Sequence, residues 1–355
     1  MIYYLLVTTG FLIYLLERFT TSIGKYKQYL LVYWVLSIIL IGGLRYNVGT
    51  DFTNYRDIIV HDLPIEPAFK ILANIIGQFS TDYALFVLVF YVISFYLKYI
   101  CFHKLSGVIS LSIMMYLSFY FIAYDVNAMR EGMAFAFTGL AGYHAYKKNI
   151  VFYLLCCLLA FLFHYTAIIF FPFYFLIRIR LRWWMILSGI LICSILSYKN
   201  FVGIVIQTLS ELGNDSNIIA RAVSYGTNTN YESNLLLTFS TVRRCLISFC
   251  IYVIIRRASI LDERMQKMLI MTNFIALLIY LLFCQFGLFA IRLSVYFRFF
   301  ECISFSYLPF VFKKKKNELI VVSLLYFYAV LQIYSALSLE DNNLLPYHTI
   351  FYNAF

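Results

Sequence analysis

Charge is scarce in this chain. Asp, Glu, Lys and Arg make up 13% of 355 residues, while 63% are hydrophobic and the mean hydropathy is +0.82. That is more apolar matter than a soluble core can hide, so a soluble fold is excluded and an all-α polytopic membrane protein is implied. Metal-ligand spacing is absent too. The eight cysteines, Cys101, Cys156, Cys157, Cys193, Cys245, Cys250, Cys284 and Cys302, lie within or at the edges of apolar segments. They read as small buried apolar residues, with no disulfide framework, metal or cofactor implied. The opening Met1 to Leu16 has no basic region before it and no small-residue cleavage site. It is read as a retained first span with the N-terminus outside. No soluble second domain, internal repeat or low-complexity tract is visible, so residues 1–355 are read as a single membrane domain. Acidic residues number 17 against 28 Lys and Arg, a formal charge of +11. In a soluble protein that excess suggests nucleic acid; here the cations sit in short blocks between apolar runs, the pattern of the positive-inside bias.

Apolar runs of about 14 to 24 residues give about twelve expected transmembrane helices: residues 1–16, 29–44, 82–100, 108–124, 129–146, 150–163, 165–178, 183–199, 238–255, 268–288, 292–312 and 319–337. The stretch 150–178 also reads as one long tilted span. Splitting it at His164 puts Arg178, Arg180 and Arg182 inside, with Arg18/Lys25/Lys27, Lys98/Lys104, Lys147/Lys148, Arg256/Arg257/Arg264/Lys267 and Lys313–Lys316. Every short inner connection is then basic. Two outer loops are long. In 45–81, Pro67 opens an apolar stretch at helical spacing that reads as an interfacial helix over about 67–79. In 199–237, the runs Asn214–Asn217 and Gly226–Asn234 suit either sugar hydroxyls or plain solvation.

The cations left on the outer half are the informative ones: Arg45, Arg56, Lys70, Arg130, Lys199, Arg221, Arg243, Arg244, Arg292 and Arg298. An arginine in a span costs roughly 2.5 to 3.5 kcal/mol near its centre and so needs a partner. Arg45 and Asp51 flank a turn built on Asn47 and Gly49. Arg130 opens a span rich in Gly and Ala, where it either pairs locally with Asp125 or reaches neighbouring helices. His164 lies between two apolar runs, as a structural residue or as a proton acceptor. Arg298 and Glu301 are three apart and read as a buried ion pair, leaving Arg292, which shares a helix face with Tyr296, for another partner; Arg243 or Arg244 is placed to reach an anion. Gathered on one side, these residues form a cationic cavity with few carboxylates to balance it. Guanidinium forks match phosphate oxygens, so the head of a pyrophosphate lipid fits it, with arginines rather than a metal meeting the leaving-group charge and Asp51 at the rim as base.

Several motifs together resemble the EpsG family of bacterial polysaccharide polymerases, which belongs with the Wzy-type O-antigen and capsule polymerases. They are Arg45 through Val48-Gly49-Thr50-Asp51 to Tyr55, Glu66-Pro67, Asn127-Ala-Met-Arg130, Phe163-His164-Tyr-Thr-Ala167, Arg292 with Tyr296-Phe297, and Leu345-Pro346-Tyr347. The order is kept over nearly the whole chain; Glu131 departs from it, where an amide is expected. The resemblance implies a metal-free GT-C-like membrane glycosyltransferase on the outer face of the bacterial cytoplasmic membrane. It implies that the growing glycan leaves undecaprenyl diphosphate for the non-reducing end of an incoming lipid-linked repeat unit. Arg45, Arg130 and Arg292 would bind diphosphate and Asp51 or His164 would act as base. Tyr55, Arg243, Arg244, Tyr296 and Tyr347 are further candidate substrate contacts. Membrane lipid and a chain-length regulator are the expected partners besides lipid-linked oligosaccharide.

Two other classes compete. A flippase of lipid-linked sugars also needs a cationic cavity, but calls for access from both sides and commonly for paired repeats. A membrane acyltransferase decorating surface sugars would use His164 but gives no role to several diphosphate-like cations.

Overall fold

The computed structural model describes residues 1–20, 26–80, 82–211, 238–338 and 343–351. Helices dominate, and no β-strand occurs among the described residues beyond an isolated antiparallel bridge between Arg45 and Thr349. In chain order the α-helices are α1 (Ile2–Phe19), α2 (Tyr26–Gly43), α3 (Phe52–Val60), α4 (Pro67–Gly77), α5 (Tyr83–Leu105), α6 (Ile109–Tyr116), α7 (Met129–Tyr146), α8 (Ile150–Phe163), α9 (Phe173–Leu176), α10 (Trp183–Tyr198), α11 (Phe201–Glu211), α12 (Phe239–Arg257), α13 (Glu263–Leu282), α14 (Gly287–Phe305) and α15 (Lys315–Leu337). Helix α6 runs straight into a π-helical segment, Leu117–Asn127.

Six stretches are long and apolar enough to cross a membrane: α1, α2, α5, Ile109–Asn127, α13 and α15. The remaining expected spans form helices close to the expected positions but fall short in length, as α8 and α10 do, or carry charge, as α12 does with Arg243, Arg244, Arg256 and Arg257 and α14 does with Arg292, Arg298 and Glu301. The expected span 165–178 is not a regular helix. His164 is extended at the end of α8, a 3₁₀ turn follows over Tyr165–Phe170, and α9 has four residues. Pro172 supplies no backbone N–H, which breaks the ladder there. Loop 45–81 contains two helices rather than one, and the polar runs 214–217 and 226–234 with Arg221 lie outside the described residues.

The chain divides into two compact units, one comprising Met1–Ile168 and Cys302–Phe355, the other Ile169–Glu301. In the first, α7 packs against α5 and α8, and α1 against α2, α6 and α15. Small residues permit the close approach; Gly42 on α2 lies under the ring of Tyr91 on α5. Helices α3 and α4 are seated on an aromatic cluster in which Phe52, Tyr55 and Phe69 meet Phe86, Phe90, Met129, Met133 and Phe163. Helix α4 buries Phe69, Ala73 and Ile76 at helical spacing and exposes Ile71 and Ile75, the amphipathic layout of a helix lying at an interface. In the second unit α13 packs against α10 and α12. Helix α10 exposes Trp183, Trp184, Leu187, Leu191, Ile192 and Ile195, apolar surface suited to lipid.

The basic end of the first unit is tied by a buried carboxylate. Glu318 accepts from Arg18 Nε at 2.7 Å and from the Tyr14 hydroxyl at 2.9 Å, joining α1 to α15. Removing one member of such a set strands the others in an apolar setting. Glu318→Ala is therefore expected to cost about 3 to 5 kcal/mol, read as a lowered melting temperature of the detergent-solubilised protein.

Candidate active site

One end of the first unit collects most of the motif residues. Helix α2 ends at Gly43, and Arg45 folds back so that its Nη1 donates to the Gly42 carbonyl at 2.6 Å. None of the Arg45 surface is exposed. Its Nε and Nη2 are buried without a hydrogen-bond partner, and it forms no ion pair among the described residues. The negative end of the α2 dipole supports the cation, yet two of its donor groups meet no acceptor. Arg45 interacts electrostatically with Tyr3, Tyr83, Tyr91 and Tyr347. The hydroxyls of Tyr3, Tyr83 and Tyr91 are likewise buried and unpartnered. Burial pushes the Tyr347 phenol up to about 12, with Arg45 pulling the other way.

The C-terminal segment closes over this arginine. Tyr46 N donates to His348 O and Ile350 N to Leu44 O, both at 3.0 Å, on either side of the Arg45–Thr349 bridge. Gly49 N donates to Asn343 O at 3.0 Å, Asn343 Nδ2 to Asn47 O at 3.2 Å, and the Tyr347 hydroxyl to Ile41 O. The turn itself requires its residues: Asn47 and Gly49 have φ of 50° and 98°, left-handed values that Asn tolerates and Gly adopts freely. Thr50 N then donates to Asn127 Oδ1 at 3.1 Å, docking the turn on the start of α7.

Three residues further, Arg130 pairs with Glu66 at the N-terminus of α4, its Nε lies 3.4 Å from the Tyr55 hydroxyl, and its guanidinium sits 5.3 Å from the Tyr55 ring centroid. Burial raises the Tyr55 phenol above its ordinary value, so it remains a neutral hydroxyl. Asp51 begins α3, half-buried, and its carboxylate makes no capping bond to that helix. His164 places Nε2 3.3 Å from the buried Glu131 and Nδ1 2.7 Å from Thr166 Oγ1.

The site thus departs from the sequence expectation of a cavity with few carboxylates. Arg130 is paired with Glu66 rather than Asp125, and His164 with Glu131. Packing of α4 and α8 beside α7 brings Glu66 to Arg130 and His164 to Glu131 from distant positions, which spacing along one helix does not reveal. Lys98, expected in an inner connection, lies within α5, fully buried and 2.5 Å from Asp125. The remaining candidates belong to the second unit. There Arg244 Nη1 and Arg298 Nε lie 3.8 and 3.5 Å from Glu301, so Glu301 faces two arginines, and Arg244 also sits 5.5 Å from the Tyr280 ring centroid. Tyr296 is buried and Arg292 half-buried. Arg243 opens α12 beside Arg244.

A family model described as EpsG family matches residues 28–349. The chain belongs to the EpsG family. This is a Wzy-type polysaccharide polymerase family, and the described helices are those of an all-α, multi-pass membrane protein. No curated protein and no solved structure matches the chain. The matched span takes in the Arg45 turn, Glu66, Asn127, Arg130 and His164 and ends at Thr349 on the covering segment.

Gly49 is the joint that turns on substitution. A Cβ there would lie 2.7 Å from both Asn127 Oδ1 and Val126 O, on top of the strain of its positive φ. Gly49→Ala is expected to cost more than about 1 kcal/mol of local stability and to lower polymer yield several-fold at unchanged membrane abundance, read by gel profile of surface glycan.

Proposed function

We propose that the chain polymerises lipid-linked oligosaccharide repeat units, and that Arg45 is a principal contact of the departing diphosphate. The observation that carries this reading is a buried guanidinium with two donor nitrogens that meet no acceptor among the described residues. Burying a cation is costly unless it is matched, and a guanidinium fork matches phosphate oxygens best. Arg130, adjoining through Asn127 and the Gly49 turn, is a second diphosphate contact whose ion pair with Glu66 exchanges for phosphate.

In the reaction proposed, a hydroxyl at the non-reducing end of the incoming unit attacks the anomeric carbon of the growing glycan. The bond from that carbon to undecaprenyl diphosphate breaks, and the hydroxyl proton passes to a carboxylate. Asp51 suits that task better than His164: its carboxylate is half-exposed and uncommitted to the helix it begins, whereas both imidazole nitrogens of His164 face protein groups. The leaving-group charge is met by guanidinium groups, so no metal is needed. Tyr55 and Tyr347, held as neutral hydroxyls by burial, are proposed substrate contacts. The site faces the outside of the bacterial cytoplasmic membrane, because Arg18, Lys27, Lys104, Lys147 and Lys313–Lys316 lie at the opposite end of the helices of the first unit.

Arg45→Ala is expected to lower polymerisation about 100-fold, the scale of losing a donor to a developing anion, and Arg45→Lys to restore little, since a point charge cannot present the fork. Cells carrying either variant should display single repeat units; loss of all surface units would point to an exporter instead. Asp51→Asn should abolish polymer at normal protein level, and full-length chains from it would remove Asp51 as base. Purified protein given lipid-linked units should form a ladder with and without chelator, and a ladder abolished by chelator would refute the metal-free scheme.

A further inference from the structure

A second cluster of charge lies deeper in the first unit, away from the diphosphate contacts. Lys98 on α5 and Asp125 on the π-helical segment are buried, with Nζ and Oδ1 2.5 Å apart. Lys98 Nζ also donates to Ser94 Oγ at 2.6 Å, the Tyr116 hydroxyl donates to Asp125 Oδ2 at 2.6 Å, and the ammonium sits 5.5 Å from the Tyr116 ring centroid. Both carboxylate oxygens and two of the three ammonium protons are hydrogen-bonded within the protein. Such a pair is a poor device for stability alone, because apolar residues of similar volume hold helices together as well or better. What it does supply is a fixed register.

The register matters because the segment holding Asp125 is not α-helical. Residues Leu117–Asn127 are wound as a π-helix, closed at the end by Ala128 N donating to Ala123 O at 3.0 Å. A π turn carries an extra residue, and slipping one residue back to α geometry turns everything downstream by about 100° about the axis. Downstream, within five residues, are Asn127, which receives the Gly49 turn, and Arg130. The segment also bears directly on α7: a Cβ at Gly132 would lie 2.2 Å from Tyr124 O and 2.9 Å from Asp125 Oδ1.

We infer that Lys98, Asp125 and Tyr116 are positioning residues that pin the π-helical register and thereby aim Asn127 and Arg130 into the active site. The inference rests on the proposed role of that site. Lys98 grips Asp125 from α5 and Tyr116 grips it from one end of the same segment, so its rotation about the helix axis is fixed from two sides.

The test uses full-length protein reconstituted in liposomes with lipid-linked repeat units, comparing Tyr116→Phe and the double variant Lys98→Met/Asp125→Leu with Arg130→Ala and Asn127→Ala. The double variant replaces the pair with apolar volume, so its melting temperature should match the parent while kcat falls about 10- to 100-fold, as for a misplaced catalytic constellation, with KM within about twofold. Tyr116→Phe should lower kcat in the same sense with less effect. Parental kcat in the folded double variant, with Arg130→Ala inactive, overturns this inference alone. Should the double variant fail to accumulate, parental kcat in Tyr116→Phe overturns it. Full activity of both Arg130→Ala and Asn127→Ala overturns the site reading and this inference together.

Discussion

The first unit is organised around the burial of one arginine at a helix end. Arg45 sits where α2 stops, its guanidinium bonded to the Gly42 carbonyl and covered by residues 343–351, with no carboxylate paired to it among the described residues. A cation so placed is expensive, and the chain spends structure to keep it there: a turn with two left-handed residues, a docked C-terminal segment and four tyrosines within electrostatic reach. The negative end of α2 offsets part of the cost. In the proposed reaction the diphosphate offsets the rest.

The other charges of the first unit behave differently. Arg130 has Glu66, Lys98 has Asp125, Arg18 has Glu318 and His164 faces Glu131. These pairs join elements distant in sequence, so each acts as a clamp as well as a neutraliser. Together they hold α4 and α7, α5 and the π segment, α1 and α15, and α7 with the end of α8. The result is a rigid frame around one cation that the frame itself does not neutralise, the arrangement expected where binding energy is reserved for a ligand.

Much of this was legible in the residues. Helices α1, α2, α5, α6 with its π-helical segment, α7 and α8 fall close to the apolar runs, because length and hydropathy report membrane helices well; α3, in the polar loop after Arg45, does not. The Val48-Gly49-Thr50-Asp51 turn, Glu66, Asn127, Arg130, His164 and Tyr347 were readable as motif residues by family resemblance. What pairs with what was not. Glu66 lies 64 positions from Arg130 and Asp125 lies 27 from Lys98, and helical spacing speaks only for three or four residues either way. Lys98 looked like a loop cation because it lies near the end of an apolar run, and the π winding leaves no periodic trace in a segment that is apolar on all sides. The 165–178 stretch misled for the opposite reason: it is apolar enough for a span, but Pro172 and the extended His164 break it.

The most direct measurement is a structure of the protein bound to undecaprenyl diphosphate. Phosphate oxygens are expected about 2.7 to 2.9 Å from Arg45 Nε and Nη2, with residues 343–351 displaced or reshaped to admit them. A headgroup bound elsewhere, with Arg45 still sealed beneath that segment and its two nitrogens unmatched, would contradict it.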